Sequence, residues 1–379
     1  FGFDGVFDPF TIDDVYSYSG DFGFITNSKP ERDSTSFYGQ GTWNHSDSLR
    51  TVFGLRHTKD EVYSAVTNFY GRSGTDILET DGNKVTGRLV IEKDIDDDTM
   101  VYGSFTRGYK PGGSNLTYGR EDEVAQIVVL PTFQEEIVDA FEVGLKTDLA
   151  DGRARLNAAA FLYNYEGLQY QATDPEVFEG GVGNIPDSEI YGAELELSTF
   201  LSDSVILDLR LSWLDTEITA DHLALDNVES EAATNALLAQ GIGLFSNEVQ
   251  IARAGRIQNV RGNELAKTPS FTGNIALNWT NEQNWGELKG TLQYTYRGGF
   301  KHRIFNNSLT DIVPNYDVLD IMLGFYPASA ENQHFEIIGK NLFDQDGINA
   351  RFTDVFGVGA TGDELIAPRQ IMLRFVTQF

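Results

Sequence analysis

In the closing segment APRQIMLRFVTQF (367–379), Ile371, Leu373, Phe375 and Phe379 fall on one side of an extended chain. Gln370, Met372, Arg374, Val376 and Gln378 fall on the other. The same alternation of two recurs upstream. In SVILDLRLSW, Val205, Leu207, Leu209, Leu211 and Trp213 oppose Asp208, Arg210 and Ser212; in FTGNIALNW, Phe271, Ile275, Leu277 and Trp279 oppose Thr272, Asn274 and Asn278. In WGELKGTLQYTYRGG, Leu288, Leu292, Tyr294 and Tyr296 oppose Lys289, Gln293 and Arg297.

About thirteen such strands are expected, near 35–44, 48–60, 84–93, 98–110, 135–148, 153–168, 185–199, 204–218, 268–280, 285–299, 315–327, 333–343 and 367–379. Several exceed the usual strand length of about five or six residues. A face carrying Lys, Arg, Asp and Glu would make a poor wall for a dry sandwich core. The joins alternate without exception. HSDS, DIDDD, ADGR, LSDS, NEQN and ASAENQ are short; 61–83, 111–134, 169–184, 219–267, 300–314 and 344–366 are long. Short turns at one end and long loops at the other are the arrangement of outer-membrane barrels. The expected fold is therefore all-β, a transmembrane antiparallel β-barrel. An aromatic Phe379 and Trp279 would rest in the interfacial belt at the periplasmic rim, with Tyr294 and Tyr296 nearer the outer one.

Composition narrows the function without changing the fold. Lys and Arg number 28 against 57 Asp and Glu, a net charge of −29, which excludes a nucleic-acid binder that works by neutralising phosphates. It also disfavours a highly anionic ligand, although local loop charge matters more than the total. Cysteine is absent, which removes disulfides, thiolate metal sites and a cysteine nucleophile. Nowhere do 18 apolar residues run together, so no transmembrane helix is expected, which leaves a barrel untouched. The opening FGFDGVFDPFTIDD has no basic region before an apolar core and reads as an interior segment.

Several stretches resemble the C-terminal part of TonB-dependent outer-membrane receptors: FTRGYKPGGSN (105–115), FEVGLKTDLADGRARLNAAAFLYNYEGLQ (141–169), IYGAELELS (190–198), IIGKNLFDQ (337–345) and the strand ending in Phe379. Their order and spacing match over residues 35–379, leaving 1–34 as an extracellular loop or the start of an incomplete strand. The resemblance implies a barrel of about 22 strands around a plugged lumen. The chain is thus expected to be the C-terminal portion of a longer receptor whose plug and first strands lie outside it. It further implies partnership with the TonB complex through that plug, contact with outer-membrane lipid and lipopolysaccharide, and recognition of Phe379 by the barrel-insertion machinery. The expected role is uptake of a scarce nutrient in a Gram-negative outer membrane, by default an iron–siderophore complex or similar metal chelate, with cobalamin and glycans open as other substrates. A passive channel or a structural barrel subunit of a larger surface assembly is the alternative.

Candidate residues follow from position. The outer loops carry the aromatic and arginine side chains that dominate recognition surfaces, and Tyr118, Arg120, Phe133, Phe245, Arg303, Phe305, Arg351 and Phe356 are the candidate ligand contacts. Glu142, Lys146, Glu194, Glu196, Asp208, Arg210, Lys289 and Arg297 are expected to face the lumen, paired or hydrated. SEAATNALLAQGIGLF (230–245) reads as a short helix over the mouth. GVGATG (357–362) satisfies G-x-G-x-x-G formally, yet it lies in a long loop before a strand and reads as flexible loop glycine. DIDDD (94–98) lacks the calcium-loop frame and reads as a solvated turn. His45, His57, His222, His302 and His334 have no metal-ligand spacing, and His302 in KHRIF reads as a solvated loop tip. No nucleophile and base come together, so no enzyme activity, cofactor or metal site is expected.

Overall fold

The computed structural model describes residues 26–68, 75–116, 129–174, 179–244, 246–330, 332–353 and 361–377. Its wall strands are β1 (Thr26–Ser46), β2 (Leu49–Asn68), β3 (Thr75–Asp94), β4 (Thr99–Lys110), β5 (Glu136–Leu149), β6 (Ala154–Asp174) and β7 (Glu179–Ser202). They continue as β8 (Val205–Ile218), β9 (Phe271–Gln283), β10 (Gly286–Arg297), β11 (Tyr316–Pro327), β12 (Gln333–Lys340) and β13 (Gln370–Thr377). All thirteen form one sheet in which every strand pairs antiparallel with its neighbour in sequence. The expected strand count and all-β architecture are present. Among the described residues no helix is long and apolar enough to cross a membrane.

The registers keep unlike faces apart across the whole sheet. Leu209 lies opposite Leu197 and Ile275, while Arg210 lies opposite Glu196 and Asn274. On the outer face large apolar side chains stand uncovered by protein: Leu55 is 65% exposed, Val143 62% and Leu373 81%. A continuous apolar surface of this kind needs a partner, and hydrocarbon is the partner a ladder of fully paired strands can span.

Aromatic side chains mark the edges of that band. Toward the short turns, Trp285 packs on Phe325 at 5.6 Å and Phe335 on Phe375 at 4.9 Å. Trp279 lies at the same end, opposite Val205 and Gly290 in the ladder. A methyl group at Gly290 would come within 2.0 Å of the indole, so glycine there admits the ring. At the other end Tyr191 and Trp213 meet edge to face at 5.9 Å, and Phe271 lies 6.0 Å from Tyr296. Such belts sit at the two water interfaces of a membrane barrel. Phe379 lies outside the described residues.

Two of the joins expected to be long are mostly strand. β2 and β3 stay paired up to Thr67 with Thr75, and β6 and β7 up to Asp174 with Glu179. Their inward residues Ser64, Val66 and Ala172 are buried under neighbouring loops, which supplies the packing that holds the ladder together above the lipid band. β1 likewise begins at Thr26 instead of near residue 35. The short turns carry little: in the join from β5 to β6, Ala150, Asp151 and Gly152 take φ of 53°, 55° and 80°, the left-handed conformation a tight hairpin needs.

Candidate functional site

The large connections fold as a lobe at the end of the wall opposite the short turns. The connection from β8 to β9 holds a hairpin (Leu223–Leu225 with Ile257–Asn259), helix α1 (Asn227–Leu238) and helix α2 (Asn247–Ala254). α1 begins three residues before the expected helical stretch at 230, because Asp226 caps it by accepting from the amides of Val228 and Glu229. Smaller hairpins pair Gly113–Ser114 with Thr132–Phe133, Phe300–Lys301 with Ile312–Val313, and Ile348–Thr353 with Thr361–Leu365.

These segments bury a core of their own. Ile185, Ile218, Ala224, Val260, Leu265 and Ile304 pack together, and Val66, Val129 and Ala172 form a second cluster. Tyr170 packs against both, which joins the lobe into one body. Each buried Ile, Leu or Val contributes about 1.5–3 kcal/mol. Burial pushes the Tyr170 phenol up to about 12, and its hydroxyl lies 2.9 Å from Nε2 of His222, whose own basicity burial lowers. Asn115, 3% exposed, donates to the carbonyls of Leu130 and Val182 and accepts from the Val182 amide, so that its side chain stitches the β4–β5 connection to β7.

Beneath the lobe lies a cavity of about 480 Å³ whose lining includes Tyr165, Tyr170, Lys267, His302, Phe305 and Phe352. Arg303 and Arg351 face it too, each with four of its five N–H donors bonded to described residues. Arg303 donates from Nε to Asp311 at 2.7 Å, from Nη1 to Asp226 at 2.7 Å and Asn227 at 2.9 Å, and from Nη2 to Thr310 at 3.2 Å. Asp311 and Asp226 are 0% and 1% exposed. Arg351 grips Asp363 with two bonds of 2.6 and 2.8 Å and donates to the carbonyls of Thr310 and Ile312. Hydrogen bonding to Arg351 holds the Asp363 carboxyl below the usual carboxylate range. His302 is 8% exposed, so the solvated loop tip expected from KHRIF is corrected: burial first, then Arg303, pushes the imidazole down to about 4, and Nδ1 has no partner among the described residues.

Arg303, Phe305 and Arg351, three of the expected ligand contacts, thus meet at one cavity. Phe133 does not join them; it lines a separate crevice with Tyr109 and Glu135. Tyr118, Arg120, Phe245 and Phe356 lie outside the described residues. Tyr165, Tyr170 and Lys267 were missing from the expected set. Tyr165 was accessible in principle, since it continues the alternate aromatic positions Phe161 and Tyr163 on the polar side of β6.

The residues expected to face the lumen share the face opposite the lipid band. Tyr102 donates to Glu142 at 2.6 Å, and the Lys146 ammonium sits 5.7 Å from the same ring. Asn157 donates to Glu196, Asn278 donates to Asp208 at 2.9 Å, and Glu196 lies directly across from Arg210. Glu194 is exposed two positions away. Lys289 pairs with Glu287 at 3.0 Å. Arg297 has a different job: it donates to the carbonyls of Ile348 and Asn349 and stacks over Tyr316 at 4.4 Å, tying the last hairpin to the wall.

Residues 1–342 match the family model for the TonB-dependent receptor-like β-barrel. A probable TonB-dependent siderophore receptor, PiuA of Acinetobacter baumannii, is 27% identical over 168 residues, 44% of this chain and 21% of its own length. The fold resembles the ferric yersiniabactin uptake receptor FyuA of Yersinia pestis, with TM-score 0.69 and 18% identity over 94% of this chain and 47% of that one. It also resembles the structure of PiuA, with TM-score 0.68 and 18% identity over 92% and 43%. The chain therefore spans less than half the length of these relatives.

Proposed function

Because the chain belongs to the TonB-dependent receptor-like β-barrel family, whose members are integral outer-membrane proteins of Gram-negative bacteria, we propose that it forms the C-terminal wall and outer lobe of a receptor importing an iron–siderophore complex. Energy comes from the TonB complex acting on a plug carried elsewhere in the full protein. This chain supplies the scaffold and part of the ligand contact surface.

The observation that carries the proposal is the cavity under the lobe. It is lined by Tyr165, Tyr170, Phe305 and Phe352, and it is roofed by loops with a core of their own. A preformed, largely apolar recess with a few placed polar groups is what a ligand site requires. A ligand held there, above a lumen-facing wall, would stand at the entrance of the proposed transport path. Uptake of radioactive iron chelates by iron-starved cells tests the proposal, with and without the full-length gene and with and without TonB. Loss of uptake in both deletions supports it. Flux that persists without TonB favours a passive channel.

A further inference from the structure

We propose that the chelate taken by this cavity is electrically neutral overall and bears apolar arms; the proposal rests on the receptor function above and names its substrate class. The charges around the cavity cancel. Its lining carries three cations, Arg303, Arg351 and Lys267, and three carboxylates, Asp226, Asp311 and Asp363, stand directly behind the two arginines.

The arginines are committed to the protein. Arg303 spends bonds on Asp226, Asn227, Thr310 and Asp311; Arg351 spends its own on Asp363 and two carbonyls. Each guanidinium has one Nη2–H left for a ligand; to take more of Arg303, a polyanion has to displace Asp226 and Asp311, both almost fully buried, and to take more of Arg351 it has to displace Asp363. Uncompensated buried charge is among the costliest defects a protein can carry. His302 adds no positive charge, being held neutral by burial and by the cations around it. Lys267 is the one lining cation with no carboxylate in ion-pair range among the described residues. A single ammonium can orient an oxygen-rich chelate but cannot neutralise several negative charges.

What the cavity offers freely is ring surface. Phe352 is 63% exposed on the hairpin that also carries Arg351, and Phe305 stacks against the Arg303 guanidinium at 5.0 Å. Tyr165 and Tyr170 complete the lining on the wall side. A volume of about 480 Å³ accommodates an apolar arm together with part of a metal chelate. The surrounding potential of an acidic chain also opposes concentrating anions at the mouth.

The test titrates the purified full-length receptor with two ferric chelates of similar size, a neutral trihydroxamate built on a cyclic hexapeptide and a trianionic tris-catecholate. The neutral complex is expected to bind about tenfold or more tighter. Asp363→Asn, which releases the charge of Arg351 toward the cavity, is expected to strengthen tris-catecholate binding several-fold while barely moving the neutral complex. Phe352→Ala, at an exposed ring, is expected to weaken the neutral complex several-fold. Equal or tighter binding of the tris-catecholate by the unmodified receptor overturns the proposal but leaves the receptor function standing, as does import of some other polyanionic ferric chelate in preference to the neutral one. Failure to bind or import any ferric chelate overturns both.

Discussion

Arg303 Nη1 lies 2.7 Å from Asp226 Oδ1, joining two outer loops across 77 residues of chain. Asp226 is at the same time the N-cap of α1, so one carboxylate ends a helix and anchors a neighbouring loop. Arg303→Met leaves Asp226 and Asp311 buried without a counter-charge, a defect of about 3–5 kcal/mol. The expected result is a rise of about a hundredfold or more in amide hydrogen exchange over 227–238 and 300–313, with the wall strands unaffected. Unchanged protection would show that the pair does not hold the lobe.

Gly290 and Trp279 form a small-to-large pair at the short-turn end, with no room for a Cβ beneath the indole. Gly290→Ala forces the ring out of its position, at about 1–3 kcal/mol. The barrel is expected to unfold at a lower temperature in detergent, read by the loss of its heat-modifiable band on electrophoresis.

Val143 and Glu142 are adjacent on β5 and point to opposite faces. Val143→Lys places an ammonium in hydrocarbon midway along Glu136–Leu149 and is expected to destabilise the folded barrel by about 2–4 kcal/mol. Glu142→Lys, beside Tyr102 on the wet side, is expected to cost well under half as much. Equilibrium unfolding in lipid vesicles measures both.

His302 ties lobe stability to pH. Its ordinary value near 6.5 falls to about 4 in the folded lobe, so below 6.5 the unfolded loop takes up a proton that the folded loop refuses. Stability rises with pH wherever the unfolded state binds more protons, so packing of 300–314 is expected to weaken as pH drops from 6.5 toward 4. Arg303, Lys267 and Arg351 oppose the imidazolium, and Asp311 partly offsets them. Limited proteolysis of this loop against pH reads the effect, and His302→Asn is expected to flatten it.

The wall was legible in the sequence because lipid and water impose opposite demands on alternate residues, as in Val205 to Trp213 and Phe271 to Trp279. Above the band that contrast fades. Tyr63 and Ala65 face away from the lobe while Ser64 and Val66 are buried against it, and neither side reads as uniformly apolar, so the extensions of β2 and β3 looked like loop. The site was half visible. Arginine and aromatic residues in outer loops marked Arg303, Phe305 and Arg351. Their partners are not deducible from local pattern: Asp226 is brought to Arg303 by the folding of a separate loop, and Asp363 is set opposite Arg351 by the register of a hairpin inside a connection that reads as loop. His302 looked exposed because nothing in KHRIF reveals the cover supplied from elsewhere.

Cysteine is absent from this chain, so once any cysteine elsewhere in the full-length protein is replaced by serine, the two-faced wall is directly measurable. Residues Ile371 to Phe375 on β13 would each be replaced in turn by cysteine in the full-length protein, in lipid vesicles, and probed with a water-soluble maleimide and a bilayer-depth quencher. Positions 372 and 374 are expected to react with the aqueous reagent, and 371, 373 and 375 to respond only to the quencher, in strict alternation. Uniform aqueous labelling of all five, or a protein that stays folded and monodisperse without detergent, would contradict the account.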